Sequence, residues 1–171
     1  MIERIYLVGF MGAGKSTLGK KLARALEYRF VDMDDFFEER YKIEIHDFFQ
    51  KYDESLFRKL EHDLLLKTFT MSRVVVATGG GTPCVFQGME KMNRHGLTVY
   101  LKMPPAALAQ RLLNAKRKRP LVQGKTGEAL IRYIEEKLAE RKDCYEMAQL
   151  HSNLPGDTLD VLIEKINSWQ P

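Results

Sequence analysis

Gly9-Phe10-Met11-Gly12-Ala13-Gly14-Lys15-Ser16 fills every fixed position of the pattern G-x-x-x-x-G-K-[ST]. The run before it, Ile5-Tyr6-Leu7-Val8, reads as a buried strand. After it, Leu18, Leu22 and Leu26 recur every four residues, which predicts an amphipathic helix over residues 15–26. Strand, glycine-rich loop and helix start is the context that the pattern needs. The glycines let successive backbone N–H groups turn inward towards phosphate oxygens, and the helix N-terminus adds a favourable dipole. Lys15 would reach the β- and γ-phosphates, and Ser16 would offer a hydroxyl to Mg²⁺. The motif predicts a nucleoside-triphosphate site and is silent on what else binds.

Outward from this loop, strand-like and helix-like stretches alternate, the mark of a doubly wound parallel α/β sheet. Arg29-Phe30-Val31 is a second strand, leading into Asp32-Met33-Asp34-Asp35 and then a helical stretch with Phe36, Phe37 and Tyr41 as its apolar stripe. A helix over residues 54–67 would bury Leu56, Leu60 and Leu64. Val74-Val75-Val76-Ala77 is the most β-branched run and ends on Thr78-Gly79-Gly80-Gly81. Leu97-Thr98-Val99-Tyr100-Leu101 is a fourth strand, stopped by Pro104-Pro105. Helix is expected over residues 106–114, a mobile loop over about 115–127, and a long polar helix over 128–146. A short last strand is placed near residues 147–150, and a closing helix over 158–169.

The chain has 171 residues, 44% hydrophobic and 29% charged, which suits one domain spanning 1–171 and excludes disordered or collagen-like classes. The net charge is +4, with Lys116, Arg117, Lys118 and Arg119 in one run. Basic charge that is partly gathered in one loop points to anion binding rather than to a nucleic-acid face, which would spread it and interleave aromatics. Cys84 and Cys144 form no CxxC pattern and encode no disulfide framework, which suits a reducing, cytoplasmic setting. The apolar start is explained by a strand rather than a signal peptide. The uncharged stretch 74–89 is broken by Gly79, Gly80, Gly81 and Pro83, so no membrane span is expected. His46, His62, His95 and His151 are too scattered to form a metal site.

The reaction class follows from what surrounds the loop. There is no N-K-x-D guanine motif, and the strand 74–77 ends in threonine and glycines rather than in the metal-holding acid of a motor ATPase. The acids stand instead at the end of the preceding strand, at Asp32 and Asp34. Two positions apart where a strand ends, they can address a metal and a second substrate separately. Asp35 reads as an ordinary acidic helix start. This arrangement predicts a small-molecule kinase.

Together, the loop 9–17, Asp32-x-Asp34, Phe57-Arg58-x-x-Glu61, Gly79-Gly80-Gly81 and Arg119-Pro120-Leu121, in this order, resemble shikimate kinase over nearly the whole chain. The resemblance implies ATP-dependent phosphorylation of the 3-hydroxyl of shikimate, on the way to chorismate and the aromatic amino acids. It also implies a five-stranded P-loop sheet in 2-3-1-4-5 order, a lid over about 115–127, and usually a monomer. By similarity, Gly12, Ala13, Gly14, Lys15, Ser16 and Thr17 hold ATP. Ser16 and Asp32 serve Mg²⁺, the latter through water. Asp34 binds the ring hydroxyls and orients or deprotonates the attacking one. Arg58 and Arg141 clamp the carboxylate, with Glu61 orienting Arg58, and Gly79, Gly80 and Gly81 approach the acceptor with backbone donors. Lid Arg119 would stabilise the transferring phosphoryl group. Lys15, Asp34 and Arg119 are thus the candidate catalytic residues. His151 to Pro155 falls where the family places its adenine loop. One departure stands out: the family's Arg-x-Pro-x-Tyr is Arg141-Lys142-Asp143-Cys144-Tyr145 here, keeping the tyrosine but not the proline.

Two other readings stay open at this level. Another small-molecule kinase, acting on gluconate or a nucleoside monophosphate, would need a similar acid and arginine set. A non-catalytic nucleotide-binding module would need only the phosphate loop.

Overall fold

A computed structural model describes residues 2–115 and 124–170. The chain runs β1 (Arg4–Val8), α1 (Lys15–Leu26), β2 (Arg29–Asp32), α2 (Met33–Tyr41), α3 (Ile45–Lys51), α4 (Glu54–Thr68) and β3 (Val74–Ala77). A 3-10 turn (Thr82–Cys84) follows, then α5 (Gly88–His95), β4 (Leu97–Lys102), α6 (Pro105–Leu113), α7 (Gly127–Glu146), β5 (Leu150–Asn153) and α8 (Leu159–Ser168). The five strands form one parallel sheet in the order β2-β3-β1-β4-β5.

The three central strands are apolar at nearly every position because helices cover both faces. Alternate residues divide between two cores. Ile5 and Leu7 pack with Val75, Val99, Leu22, Leu108, Ile134 and Leu162 on one side. Tyr6 and Val8 pack with Val76, Phe37, Phe57, Leu64, Met92 and Tyr145 on the other. On that second side α2, α3 and α4 are held by an aromatic cluster, with Phe57 centred 4.8 Å from both Phe37 and Phe49.

The strand order puts β1 between β3 and β4, so the chain leaves β1 where the sheet changes winding direction. Crevices for ligands open at the carboxyl ends of such strands. The glycine loop after β1, Asp32 at the end of β2 and Thr78 after β3 all lie along that edge.

The expected strands and helices recur, with three differences. The last strand lies at Leu150–Asn153, beyond the expected 147–150. Met147 and Ala148 still close α7 through bonds to the Cys144 and Tyr145 carbonyls, and the Gln149 N–H donates to Thr98 Oγ1 at 3.0 Å. Pairing with β4 can start only at Leu150 opposite Val99. This also places His151, Ser152 and Asn153 in a strand, leaving Leu154 and Pro155 in the loop after it. Finally, α3 and α5 were not anticipated. The expected lid, with Arg119, falls largely on residues 116–123, outside the described residues. Among the described residues no helix is long and apolar enough to cross a membrane.

Gly19 shows how closely α1 seats on the sheet. A Cβ there would meet Phe30 Cε2 at 2.5 Å and Leu7 Cδ1 at 3.1 Å. In an exposed helix Gly→Ala stabilises by about 1 kcal/mol, whereas overpacking a filled core costs about 1–3 kcal/mol. Gly19→Ala is therefore expected to lower the urea-unfolding free energy; an increase would show α1 to be loosely seated.

Candidate active site

The loop 9–14 reverses direction using left-handed glycines, Gly12 at φ 83° and Gly14 at φ 96°. The Ala13 N–H donates to the Phe10 carbonyl at 3.1 Å, and α1 begins at Lys15. The Lys15 side chain folds back over the loop, its Nζ donating to the carbonyls of Gly9 at 2.7 Å and Phe10 at 2.9 Å. Only 8% of this lysine is exposed.

Ser16, one residue on, donates its hydroxyl to Asp32 Oδ2. The other oxygen, Oδ1, accepts from the Asp34 N–H at 3.0 Å, so Asp32 is the N-cap of α2. The helix-start and metal-site readings of Asp32 are therefore compatible: one carboxylate caps α2 and touches the phosphate-loop serine. Asp34 and Asp35 lie in the first turn of α2, where the helix dipole favours acids. Asp34 lines the central cavity, while Asp35 is exposed.

Across the cavity, α4 starts at its cap Asp53, whose carboxylate accepts from the Leu56 N–H at 2.8 Å. One turn later Arg58 sits between two acids: Nη1 donates to Glu61 Oε2 at 3.0 Å and Nη2 to Glu54 Oε1 at 3.1 Å. Glu61 is the buried partner, 3% exposed, and its Oε1 accepts from Thr82 Oγ1 at 2.6 Å. Burial pushes Glu61 above the usual carboxylate range, against the pull of Arg58 and of the Thr82 bond. Burial also works against the Arg58 charge, but Glu61 and Glu54 together raise its pKa.

The third wall comes from the glycine run and α7. Tyr145 donates its hydroxyl to the Gly80 carbonyl at 2.6 Å, and Arg141 Nη1 donates to the same tyrosine oxygen at 3.4 Å. The Arg141 guanidinium also sits 5.6 Å from the centre of the Phe10 ring. The glycines make room for these side chains. A Cβ on Gly79 would meet Glu61 Oε1 at 2.4 Å, and one on Gly81 the Arg58 guanidinium at 2.7 Å. A Cβ on Gly80 would lie 3.2 Å from Arg141 Nη1. Asp143, in place of the proline, is exposed and α7 runs through it unbroken.

All three walls enclose one cavity of about 340 Å³. Gly12, Gly14, Lys15, Ser16, Thr17, Asp32, Asp34, Arg58, Gly79, Gly80, Gly81 and Arg141 all line it. Ala13, within the loop, is buried instead of lining the space, and Arg119 lies outside the described residues. Several lining residues had no motif to announce them. Ile45 and Phe49 belong to the unanticipated α3 and form an apolar patch with Phe57. Arg111, on α6, reaches the Ala13 carbonyl at 3.3 Å.

A phosphate loop at the switch point of this sheet, opening into a cavity with arginines opposite, is the frame of a P-loop kinase of small molecules. Residues 11–168 match the profile of the family described as Shikimate kinase. The chain belongs to the shikimate kinase family. A Shikimate kinase from Bacteroides fragilis is 45% identical over 145 residues, covering 85% of this chain and 81% of the relative. The crystal structure of Shikimate Kinase from Bacteroides thetaiotaomicron superposes with a TM-score of 0.88 at 39% identity, over 98% of this chain and 96% of that one. Shikimate kinase from Acinetobacter baumannii in complex with shikimate gives a TM-score of 0.86 at 33% identity, over 98% and 92%. A gluconokinase from Sinorhizobium meliloti, at 16% identity and a TM-score of 0.57, shares the fold alone.

The raised pKa of Glu61 sets a sign for stability against pH. From the ordinary value of 4.5 up to its folded-state value, the folded chain keeps a proton that the unfolded chain has released. Its contribution is therefore best on the acid side and falls as pH rises through that window. Urea unfolding of the wild type and Glu61→Gln at a series of pH values should give a stability difference that declines from pH 4.5 upward and then levels. A flat or rising difference would show that burial does not dominate this carboxyl.

Proposed function

We propose that the chain transfers the γ-phosphoryl group of ATP to the 3-hydroxyl of shikimate, releasing shikimate 3-phosphate and ADP. The observation that carries this reading is the single cavity in which the phosphate loop and Asp34 face Arg58 and Arg141. Shikimate is a ring with one carboxylate and several hydroxyls, so it needs a cationic end, a carboxylate acceptor for hydroxyl protons and an apolar face. Arg58 and Arg141 supply the first, Asp34 the second, and Ile45, Phe49 and Phe57 the third. Guanidinium groups meet a carboxylate through paired N–H donors, a geometry that lysine lacks.

Phosphoryl transfer depends on positioning and charge stabilisation more than on covalent help from the protein. Here the backbone of residues 12–17 and Lys15 hold the phosphates. Asp34 aims the acceptor hydroxyl and takes its proton. Arg119, assigned from its sequence motif alone, offsets charge on the group in flight. The acceptor's backbone neighbours are Gly79, Gly80 and Gly81.

The donor set beside the loop, a hydroxyl at Ser16 and a carboxylate at Asp32, is made of hard oxygens and suits Mg²⁺. Among the described residues no group of three His, Cys, Asp or Glu could cage a metal. When bound, Mg²⁺ offsets negative charge on the phosphate oxygens. We assign the protein as a monomer and the reaction to the cytoplasm on the family resemblance.

Two variants test the assignment in a coupled ADP-release assay. Charge-assisted hydrogen bonds contribute about 1.5–3 kcal/mol, so Arg58→Ala should raise the shikimate KM about 10- to 100-fold and spare the ATP KM. Asp34→Asn should lower kcat about 10²- to 10⁴-fold, the range for a lost general base. Unchanged shikimate kinetics in Arg58→Ala would remove it from the acceptor site, and a normal kcat in Asp34→Asn would remove Asp34 from the proton transfer.

A further inference from the structure

The chain contains just two cysteines, and the fold brings them together next to the active-site cavity. Cys84 ends the 3-10 turn that follows the glycine run, and Cys144 lies on α7 between Arg141 and Tyr145. The 3-10 turn packs on α7, and the Tyr145 hydroxyl bond to Gly80 at 2.6 Å fixes the two segments against each other. The turn that ends in Cys84 and the helix that carries Cys144 are packed together, the two thiols are near enough to perturb each other's titration, and neither is in a disulfide. Cys84 is exposed, whereas Cys144 is half-buried and packs on the second core. Phosphoryl transfer uses no thiol, so the reaction does not account for the pairing.

We propose that Cys84 and Cys144 form an oxidation site, in which a hydroperoxide converts the thiol pair into an intramolecular disulfide that ties the glycine loop to α7 beside Arg141. The pair is asymmetric in the way such chemistry needs. The contact with Cys144 holds the Cys84 thiol below its usual pKa; burial opposes this, and the positive charges of Arg141 and Arg58 support it. Cys144 is pushed upward, first by its contact with Cys84, then by burial and by the negative charge of Cys84. Cys84 is exposed and Cys144 half-buried, so a peroxide reaches Cys84 first, and Cys84 is the nucleophile.

The steps balance. The Cys84 thiolate attacks one peroxide oxygen: an S–O bond forms, the O–O bond breaks, and hydroxide leaves and is protonated to water. Cys84 is now a sulfenic acid and no longer carries the charge that held the Cys144 proton in place. The Cys144 sulfur then attacks the Cys84 sulfur, forming the S–S bond and breaking S–O, and the Cys144 proton leaves with the hydroxyl as a second water. Two thiols are oxidised to one disulfide, and one hydroperoxide is reduced to two waters when it is hydrogen peroxide.

A consequence for catalysis rests on the acceptor reading given above. A disulfide holds its sulfurs about 2.05 Å apart, closer than two thiols in contact, so closure must draw the turn and α7 together. Arg141 is tied into that junction, since its Nη1 donates to the Tyr145 hydroxyl that itself bonds the Gly80 carbonyl. Shifting Arg141 away from its partner Arg58 should raise the shikimate KM, by about 10- to 100-fold for a displacement on the order of 1 Å, and spare ATP.

The test begins with chemistry independent of activity. Reduced full-length protein is treated with hydrogen peroxide, quenched by alkylation in denaturant, and mapped by mass spectrometry. The proposal expects both thiols to disappear together into a Cys84–Cys144 bridge within one chain, and dithiothreitol to restore both. Cys144→Ser should instead trap a sulfenic acid on Cys84 that dimedone labels, whereas Cys84→Ser should leave Cys144 reduced. Thiols that stay titratable, a Cys144 that reacts first, or a bridge between two chains would overturn the site. Kinetics of the oxidised wild type then test the consequence: a raised shikimate KM reversed by dithiothreitol supports it. An unchanged KM in fully bridged protein would overturn the coupling to Arg141 while leaving the oxidation site standing. A chain that bridges as expected but never phosphorylates shikimate would instead refute the acceptor reading.

Discussion

The burial of the Lys15 ammonium under its own loop organises this molecule. Taking a charge out of water costs several kcal/mol unless it is met by oxygen, and here the carbonyls of Gly9 and Phe10 meet it. Those carbonyls meet the ammonium in a loop that turns through left-handed glycines at Gly12 and Gly14. The loop in turn is anchored by β1, whose last four residues are fully buried between the two cores. A ligand with several negative oxygens completes this arrangement better than water does, because it answers a cation, a set of backbone donors and a helix N-terminus together.

The opposite wall rests on a second buried charge. Glu61 connects α4 to the 3-10 turn by accepting from Arg58 on one oxygen and from Thr82 on the other. A buried ion pair of this kind is a weak source of stability, since desolvation offsets much of its attraction. What it provides is position: Arg58 is fixed at the cavity edge, and the glycine run is held where Tyr145 can reach Gly80. The three glycines are thus constrained by the side chains they must admit as well as by whatever binds beside them. The aromatic packing of Phe37, Phe48, Phe49 and Phe57 makes a firm base for this wall without further charge.

Most of the frame could be read in the residues, because central parallel strands are continuous apolar runs and the helices beside them repeat every three or four positions. β5 was expected near residues 147–150 and lies at Leu150–Asn153, because an edge strand needs little apolar surface to mark it: His151 and Asn153 sit half-buried or exposed, and the strand is defined by pairing with β4. The short helix α3 escaped because its phenylalanines serve two purposes. Phe48 packs inward among aromatics while Phe49 turns to the cavity, which blurs any single stripe. Of the site, the phosphate loop was legible as a motif with a mechanism, and Asp32 and Asp34 from their place at a strand end. Arg58, Arg141 and the glycine run took meaning only from the family resemblance, since an arginine three residues from a glutamate on a helix is ordinarily a surface pair. Burial of Glu61 is what sets this one apart, and no local pattern encodes it. Arg111 reaches the loop from a helix distant in sequence, a contact that only the tertiary structure reveals.

The identity of the acceptor is decisive. The most direct measurement is ADP formation from Mg-ATP by the purified chain with shikimate, gluconate or AMP supplied separately. Strong stimulation by shikimate alone is the predicted result. Turnover on gluconate or AMP without stimulation by shikimate would keep the phosphate loop but contradict the carboxylate clamp, and ATP binding with no turnover on any acceptor would contradict catalysis itself.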